Sequence, residues 1–145
     1  MRTIFFTLIS LIGLFCSAAV SQSSPHPPPA TDQERAGWTL SDMRTLGTAI
    51  EAYAVDHGGY PKAAGLDALI PLIQPVYIRR APVRDAWGNA YVYVPAADGK
   101  AYRIVSAGSD GKTDPATWDV RGEQAEYEAD AVLDSGSFSR GWRNR

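Results

Sequence analysis

This sequence of 145 residues is poor in the side chains that most enzymes use for catalysis, with one cysteine and two histidines. Cys16 lies in an apolar segment near the start, His26 among prolines, and His57 before a pair of glycines. Such a set provides neither a histidine-dependent triad nor a thiolate nucleophile, and no motif places two carboxylates around a cleft. We therefore expect no enzymatic activity. A single thiol also excludes a disulfide within the chain, so packing or a bound ion must stabilise the fold.

The chain also lacks an excess of basic residues, since 14 Lys and Arg stand against 16 Asp and Glu. Proteins that bind nucleic acids present a basic face, and we therefore expect no nucleic-acid partner. The acidic residues are concentrated near the C-terminus. Between residues 110 and 134 there are eight acidic residues and two basic ones.

The segment 1–21 has the layout of a secretory signal peptide. Arg2 precedes an apolar run, and small residues end the segment, which is the order that directs export and cleavage. Cleavage after Ala19 and cleavage after Ser21 both satisfy the small-residue preference. The alternative is an uncleaved inner-membrane anchor, because the run 4–20 reaches the lower limit of about 17 to 25 residues that cross a bilayer. We expect a periplasmic or secreted protein that contacts the membrane only if the leader is retained.

The segment 22–37 is predicted to be a spacer between the leader and a folded domain. It begins with a stretch rich in proline, serine and glutamine, which cannot bury enough apolar surface to fold and favours an extended conformation. Residues 38–145 are then predicted to form one domain, since domains commonly occupy about 100 to 200 residues.

A long helix is predicted at the start of this domain, over residues 40–57. Apolar residues recur along it at spacings of three and four, which gives one apolar face. Thr39 is the expected N-cap, and Gly58 supplies the left-handed residue that ends the helix. Residues 65–73 are long enough for only one or two further helical turns.

Two hairpins are predicted to follow the helices. Residues 90–95 and 101–106 are rich in Tyr, Val and Ile, and the Asp-Gly pair between them is a strong hairpin signal. A second hairpin is predicted from 131–133 and 137–139, followed by a frayed tail over 140–145 in which Trp142 docks on the domain. The fold class is therefore α+β, with one long N-terminal helix packed on a small antiparallel sheet and an acidic loop near the C-terminus.

Four short motifs follow one another between residues 42 and 111. They are Ala49-Ile50-Glu51-Ala52-Tyr53, His57-Gly58-Gly59-Tyr60-Pro61, Asp85-Ala86-Trp87-Gly88-Asn89 and Ala107-Gly108-Ser109-Asp110-Gly111. In this order they resemble the periplasmic head of the major pseudopilin of type II secretion. The resemblance implies the same α+β fold and protein partners among the components of a secretion system.

The resemblance also implies a calcium site in the loop that follows the last motif. In the family, that loop binds calcium through the Asp of the motif, backbone carbonyls and a later Asp that precedes an aliphatic residue. On this chain the first carboxylate is Asp110, and the second is either Asp119 or Asp130. An acidic loop suits the ion, because calcium takes about six to eight oxygen ligands.

The loop 112–129 nevertheless departs from the short, glycine-rich loop of the family. It contains Pro115, Trp118 and Tyr127, and its only further glycine is Gly122. The sequence therefore leaves other possibilities open, namely a solvated acidic loop without an ion, another ion, or a surface for a basic partner.

The leader does not fit the family. Pseudopilins have a short basic leader, then a Glu at the fifth position of a long apolar helix, whereas the run 4–20 contains no Glu. Three hypotheses follow. In the first, the chain is an exported pseudopilin-like head that acts as an assembly or binding partner. In the second, it is a filament subunit with a divergent membrane helix. The third is a secreted ligand-binding protein or enzyme on the same scaffold.

The first two hypotheses differ in the N-terminus of the mature protein. Because the leader has the layout of a cleaved signal, we predict that mass spectrometry of the protein purified after export finds an N-terminus at Val20 or Gln22. An intact leader in the membrane fraction would contradict this prediction and favour the anchored form.

Overall fold

The computed structural model describes residues 29–122 and 124–142. The leader, its two candidate cleavage sites and most of the proline-rich stretch lie outside these residues. The described elements are, in order, α1 (Asp32–His57), α2 (Leu66–Ile73), β1 (Val92–Pro95), β2 (Tyr102–Ser106), β3 (Gln124–Ala125), β4 (Ala131–Asp134) and β5 (Ser137–Trp142). Two single turns of 3-10 helix, Gly108–Asp110 and Pro115–Thr117, follow β2. In the described ranges, no helix is both long enough and apolar enough to cross a membrane.

Helix α1 begins at Asp32 and not at Leu40, so the predicted start was wrong. Thr31 is the N-cap, and its hydroxyl accepts a hydrogen bond of 3.2 Å from the backbone N–H of Glu34. The Glu34 carboxylate in turn accepts from the backbone N–H of Thr31 at 3.0 Å, which completes a capping box. The helix therefore extends into the segment predicted as a spacer, because a polar first turn carries no apolar periodicity.

Thr39, the predicted N-cap, lies inside the helix and is fully buried. Its hydroxyl accepts a hydrogen bond of 3.0 Å from the backbone N–H of Ala86. The residue therefore connects α1 to the loop before β1. The predicted end of the helix is confirmed, since Gly58 has a φ of 72° and its N–H donates to the Ala54 carbonyl at 2.9 Å.

The five strands form one sheet in the order β1-β2-β4-β5-β3. Both predicted hairpins are confirmed, as β1 pairs with β2 and β4 with β5, all antiparallel. The second hairpin turns through Ser135 and Gly136, which have positive φ angles of 46° and 82°, as two-residue hairpin loops require.

Residues 140–142 are not frayed as predicted, although the docking of Trp142 is confirmed, and residues 143–145 lie outside the described residues. Strand β5 continues to Trp142, and the two-residue strand β3 pairs with its last residues in parallel. Trp142 is 5% exposed, so apolar burial at this position extends the strand beyond residue 139.

The core lies between α1 and one face of the sheet. The helix contributes Met43, Leu46 and Ile50, all fully buried. Fully buried residues of the sheet lie in the same core, and these include Tyr102, Ile104 and Leu133. Each such aliphatic side chain contributes about 1.5 to 3 kcal/mol when it is removed from water. This packing confirms the α+β fold that the sequence predicted.

Gly47 allows α1 to approach the sheet closely. A Cβ atom at this position would lie 2.8 Å from Leu133 Cδ2 and 3.3 Å from the Tyr102 hydroxyl oxygen. The first distance is shorter than packed side chains allow. Gly37, ten residues earlier in the same helix, is exposed, and a Cβ atom there would meet no neighbouring atom within 4 Å.

The two glycines provide a matched test of this packing. We predict that Gly47→Ala lowers the free energy of unfolding by up to about 2 kcal/mol, because overpacking against Leu133 costs about 1 to 3 kcal/mol and exceeds the gain of about 0.5 to 1 kcal/mol that alanine brings to a helix. Gly37→Ala should raise it by about 0.5 to 1 kcal/mol, since alanine favours the helix and meets no obstacle. Urea unfolding measures both values, and equal effects of the two substitutions would contradict the close approach.

Candidate functional site

A buried carboxylate fixes the start of the acidic loop. Asp85 is 6% exposed and accepts hydrogen bonds from the backbone N–H of Trp87 at 3.0 Å and of Asn89 at 2.8 Å. It also accepts from the Ser106 hydroxyl, at the end of β2, at 2.8 Å. A buried carboxylate is costly without such donors, and the three of them lock the 85–89 turn to the end of β2.

The same turn holds Gly108, which begins the 3-10 turn after β2. The Asn89 side-chain amide donates to the Gly108 carbonyl at 2.8 Å, and the Gly108 N–H donates to the Ser106 hydroxyl at 3.3 Å. Gly108 has a φ of 67°, and a Cβ there would overlap the Tyr127 carbonyl oxygen and lie 2.8 Å from the Ala129 oxygen. Only glycine fits between these backbone segments.

Two separate segments meet at this point and form a cleft. The backbone N–H of Ser109 donates to the Tyr127 carbonyl at 2.7 Å, which brings the residues before β4 beside the residues after β2. Asp110 and Asp130 consequently line one cleft. Asp110 is exposed, and one of its carboxylate oxygens accepts from the backbone N–H of Lys112 at 2.9 Å. The structure therefore brings together the first predicted ligand and one of the two candidates for the second.

Asp130 is the most buried carboxylate of the cleft, with 2% exposure. Its Oδ2 atom accepts from the backbone N–H of Asp114 at 2.8 Å and from the Trp118 indole N–H at 2.6 Å. Its Oδ1 atom is buried and has no hydrogen-bond partner among the described residues. An unpaired buried carboxylate oxygen is unfavourable, and a cation beside it would offset that cost.

Asp119, the other candidate, does not line this cleft. Its side chain is 78% exposed and forms an ion pair with Arg103 of β2. Arg103 also lies 3.4 Å from Asp134 Oδ2. The structure therefore assigns Asp119 to a surface ion-pair network on the sheet, apart from the other two predicted ligands.

The electrostatics of the cleft favour a cation. Four carboxylates line it, from Asp110, Asp114, Glu128 and Asp130, together with the basic side chains of Lys112 and Arg140. Four negative and two positive charges leave a net charge of minus two. Within the described ranges, however, no group of three or more His, Cys, Asp and Glu side chains is arranged to hold a metal. An ion there would need carbonyl, hydroxyl or water oxygens as further ligands.

Aromatic residues connect the cleft to the start of α1. The Trp142 indole N–H donates to the Ala129 carbonyl at 2.7 Å, and the Trp142 ring packs edge-on against Trp87 with centroids 5.1 Å apart. The Trp87 indole N–H donates to Asp32 at 2.9 Å, and this hydrogen bond lowers the pKa of the Asp32 carboxyl.

Comparison with known proteins places the chain among secretion proteins. The family described as Type II secretion system (T2SS), protein G, matches residues 29–121. The type II secretion system core protein G of Escherichia coli K12 is 34% identical over 116 residues, which cover 72% of this chain and 77% of the relative. The core protein G of Aeromonas hydrophila is 30% identical over 129 residues, covering 79% and 87% respectively. That of Pectobacterium carotovorum is 34% identical over 120 residues, covering 73% and 76%.

The extent of these matches agrees with the order of motifs in the sequence and with the observed fold. The matched region includes α1, both strands of the first hairpin and the start of the acidic loop. The chain belongs to the type II secretion system protein G family, the major pseudopilins.

Proposed function

We propose that this chain is a non-catalytic, exported pseudopilin head that works in assembly with other components of a type II secretion system, and that a calcium ion stabilises its acidic loop. Membership of the protein G family supports the role in secretion. The observation that carries the calcium proposal is the buried, unpartnered Asp130 Oδ1 in a cleft that Asp110 also lines.

The donor set of the cleft fits a hard cation. Besides the carboxylates, Thr113, Thr117 and Ala129 line the cleft. Calcium accepts carboxylate, carbonyl, hydroxyl and water oxygens and takes about six to eight of them. The ion would supply positive charge between Asp110 and Asp130, and it would join the loop after β2 to the residue that precedes β4.

A calcium ion bound only by the folded chain raises the free energy of unfolding. At a free calcium concentration of about 100 times the Kd, this gain is about 2.7 kcal/mol. We predict that a chelator lowers the Tm of the purified protein by several degrees and that added calcium restores it. Differential scanning calorimetry with and without calcium measures this shift.

Three variants assign the site. Asp110→Asn is predicted to abolish the response of the Tm to calcium, because it removes an exposed ligand with little effect on the fold. Asp130→Asn should also abolish this response. Asp119→Asn is the matched control and should keep the response, since Asp119 pairs with Arg103. A parent protein without any calcium response, or an Asp110→Asn variant that responds like the parent, would contradict the site.

A second candidate function is that of a filament subunit, and family membership favours it. In pseudopili the apolar N-terminal helices pack together as the core of the filament, so the run 4–20 would have to serve as that helix.

The third hypothesis, an enzyme, gains no support from His57, the only histidine of the described ranges. Its ring stacks on Tyr53 with centroids 3.9 Å apart, and Nδ1 lies 3.0 Å from the Tyr53 carbonyl oxygen.

Assembly distinguishes the first function from the second. We predict that overproduction of the chain together with its secretion system yields no filaments that can be sheared from the cell surface, because cleavage of the leader removes the apolar run 4–20. Immunoblots of sheared fractions test this, with a protein G that has the usual prepilin leader as the positive control. Filaments that contain the chain would establish it as a filament subunit.

A further inference from the structure

Trp118 lies in the part of the loop that departs from the family pattern, and it contacts the candidate site directly. Its half-buried indole donates through Nε1 to Asp130 Oδ2 at 2.6 Å. The backbone N–H of Asp114 donates to the same oxygen at 2.8 Å. Two donors therefore act on one carboxylate oxygen, whereas the other oxygen, Oδ1, is buried without a partner.

A single turn of 3-10 helix, Pro115–Thr117, presents both donors. The Asp114 side chain caps this turn by accepting from the backbone N–H of Ala116 at 3.1 Å. The Thr117 hydroxyl donates to the Asp114 carbonyl at 2.8 Å, and the Trp118 N–H closes the turn on the Pro115 carbonyl at 3.4 Å. The turn thus fixes the distance between the Asp114 N–H and the indole.

The asymmetry of the two oxygens determines how Asp130 can bind a cation. Hydrogen bonds from N–H donors occupy lone pairs of Oδ2 and compensate part of its charge. The unpartnered Oδ1 keeps its lone pairs for a ligand. Ligands that are already held by surrounding hydrogen bonds bind a metal more tightly, because their orientation need not be fixed on binding.

We propose that Trp118 is a positioning residue of the cation site. Its indole N–H holds Oδ2 of the Asp130 carboxylate by a hydrogen bond and thereby orients Oδ1 to bind calcium. This inference rests on the proposed calcium site.

Calorimetric titration of calcium into the purified, chelator-treated protein tests the inference. Trp118→Phe keeps an aromatic ring but removes the indole N–H donor, and it should raise the Kd for calcium at least tenfold. Trp38→Phe is the matched control, because Trp38 is an exposed tryptophan on α1, and its Kd should equal that of the parent. The Tm of each variant in chelator shows whether the fold is retained.

A second measurement uses the parent protein alone, so it does not depend on whether a variant folds. In the nitrogen-proton NMR spectrum of the parent, the Trp118 indole resonance should stay protected from solvent exchange before and after calcium is added, since the bond to Oδ2 is kept. Two results would overturn the positioning role and leave the calcium site intact. One is a Trp118→Phe variant that binds calcium with the Kd of the parent, and the other is a Trp118 indole N–H that loses its protection from exchange when calcium is added. A parent that binds no calcium would overturn both.

Discussion

The buried carboxylate of Asp85 is the constraint on which the rest of the site depends. It joins the 85–89 turn to the end of β2 through Ser106, and Asn89 and Ser106 together hold the carbonyl and the N–H of Gly108. Because Gly108 lies against the backbone of Tyr127 and Ala129, the position of one carboxylate determines where two distant segments meet. The cleft between Asp110 and Asp130 follows from that meeting.

This arrangement explains why many acidic residues in one loop are not equivalent. Asp130 directly precedes β4, so the sheet fixes its backbone and buries its side chain. Asp119 lies in the exposed part of the loop and reaches Arg103 on the sheet surface. Exposed ion pairs of this kind contribute about 0 to 1 kcal/mol, whereas an unpaired buried oxygen costs about 1 to 3 kcal/mol. A cation at Asp130 would therefore offset a larger cost than a cation at Asp119.

Local signals in the sequence were sufficient for the elements but not for the site. The Asp-Gly pair in the first hairpin and Gly58 at the end of α1 act through neighbouring residues, and both predictions were confirmed. The start of α1 was missed because the capping box of Thr31 and Glu34 precedes the apolar pattern. The bonds from Ser106 to Asp85 and from Trp118 to Asp130 join residues 21 and 12 positions apart. The apolar periodicity of a sequence does not reveal such pairs, so the sequence alone left both Asp119 and Asp130 open.

The proposed calcium ion would lie in the cleft between Asp110 and Asp130, and a crystal structure of the exported protein grown with calcium tests this placement. We expect one ion about 2.3 to 2.6 Å from Asp130 Oδ1 and from a carboxylate oxygen of Asp110, with the Trp118 indole still on Oδ2. A cleft without an ion, in which the Arg140 guanidinium pairs with Asp130 Oδ1, would contradict it.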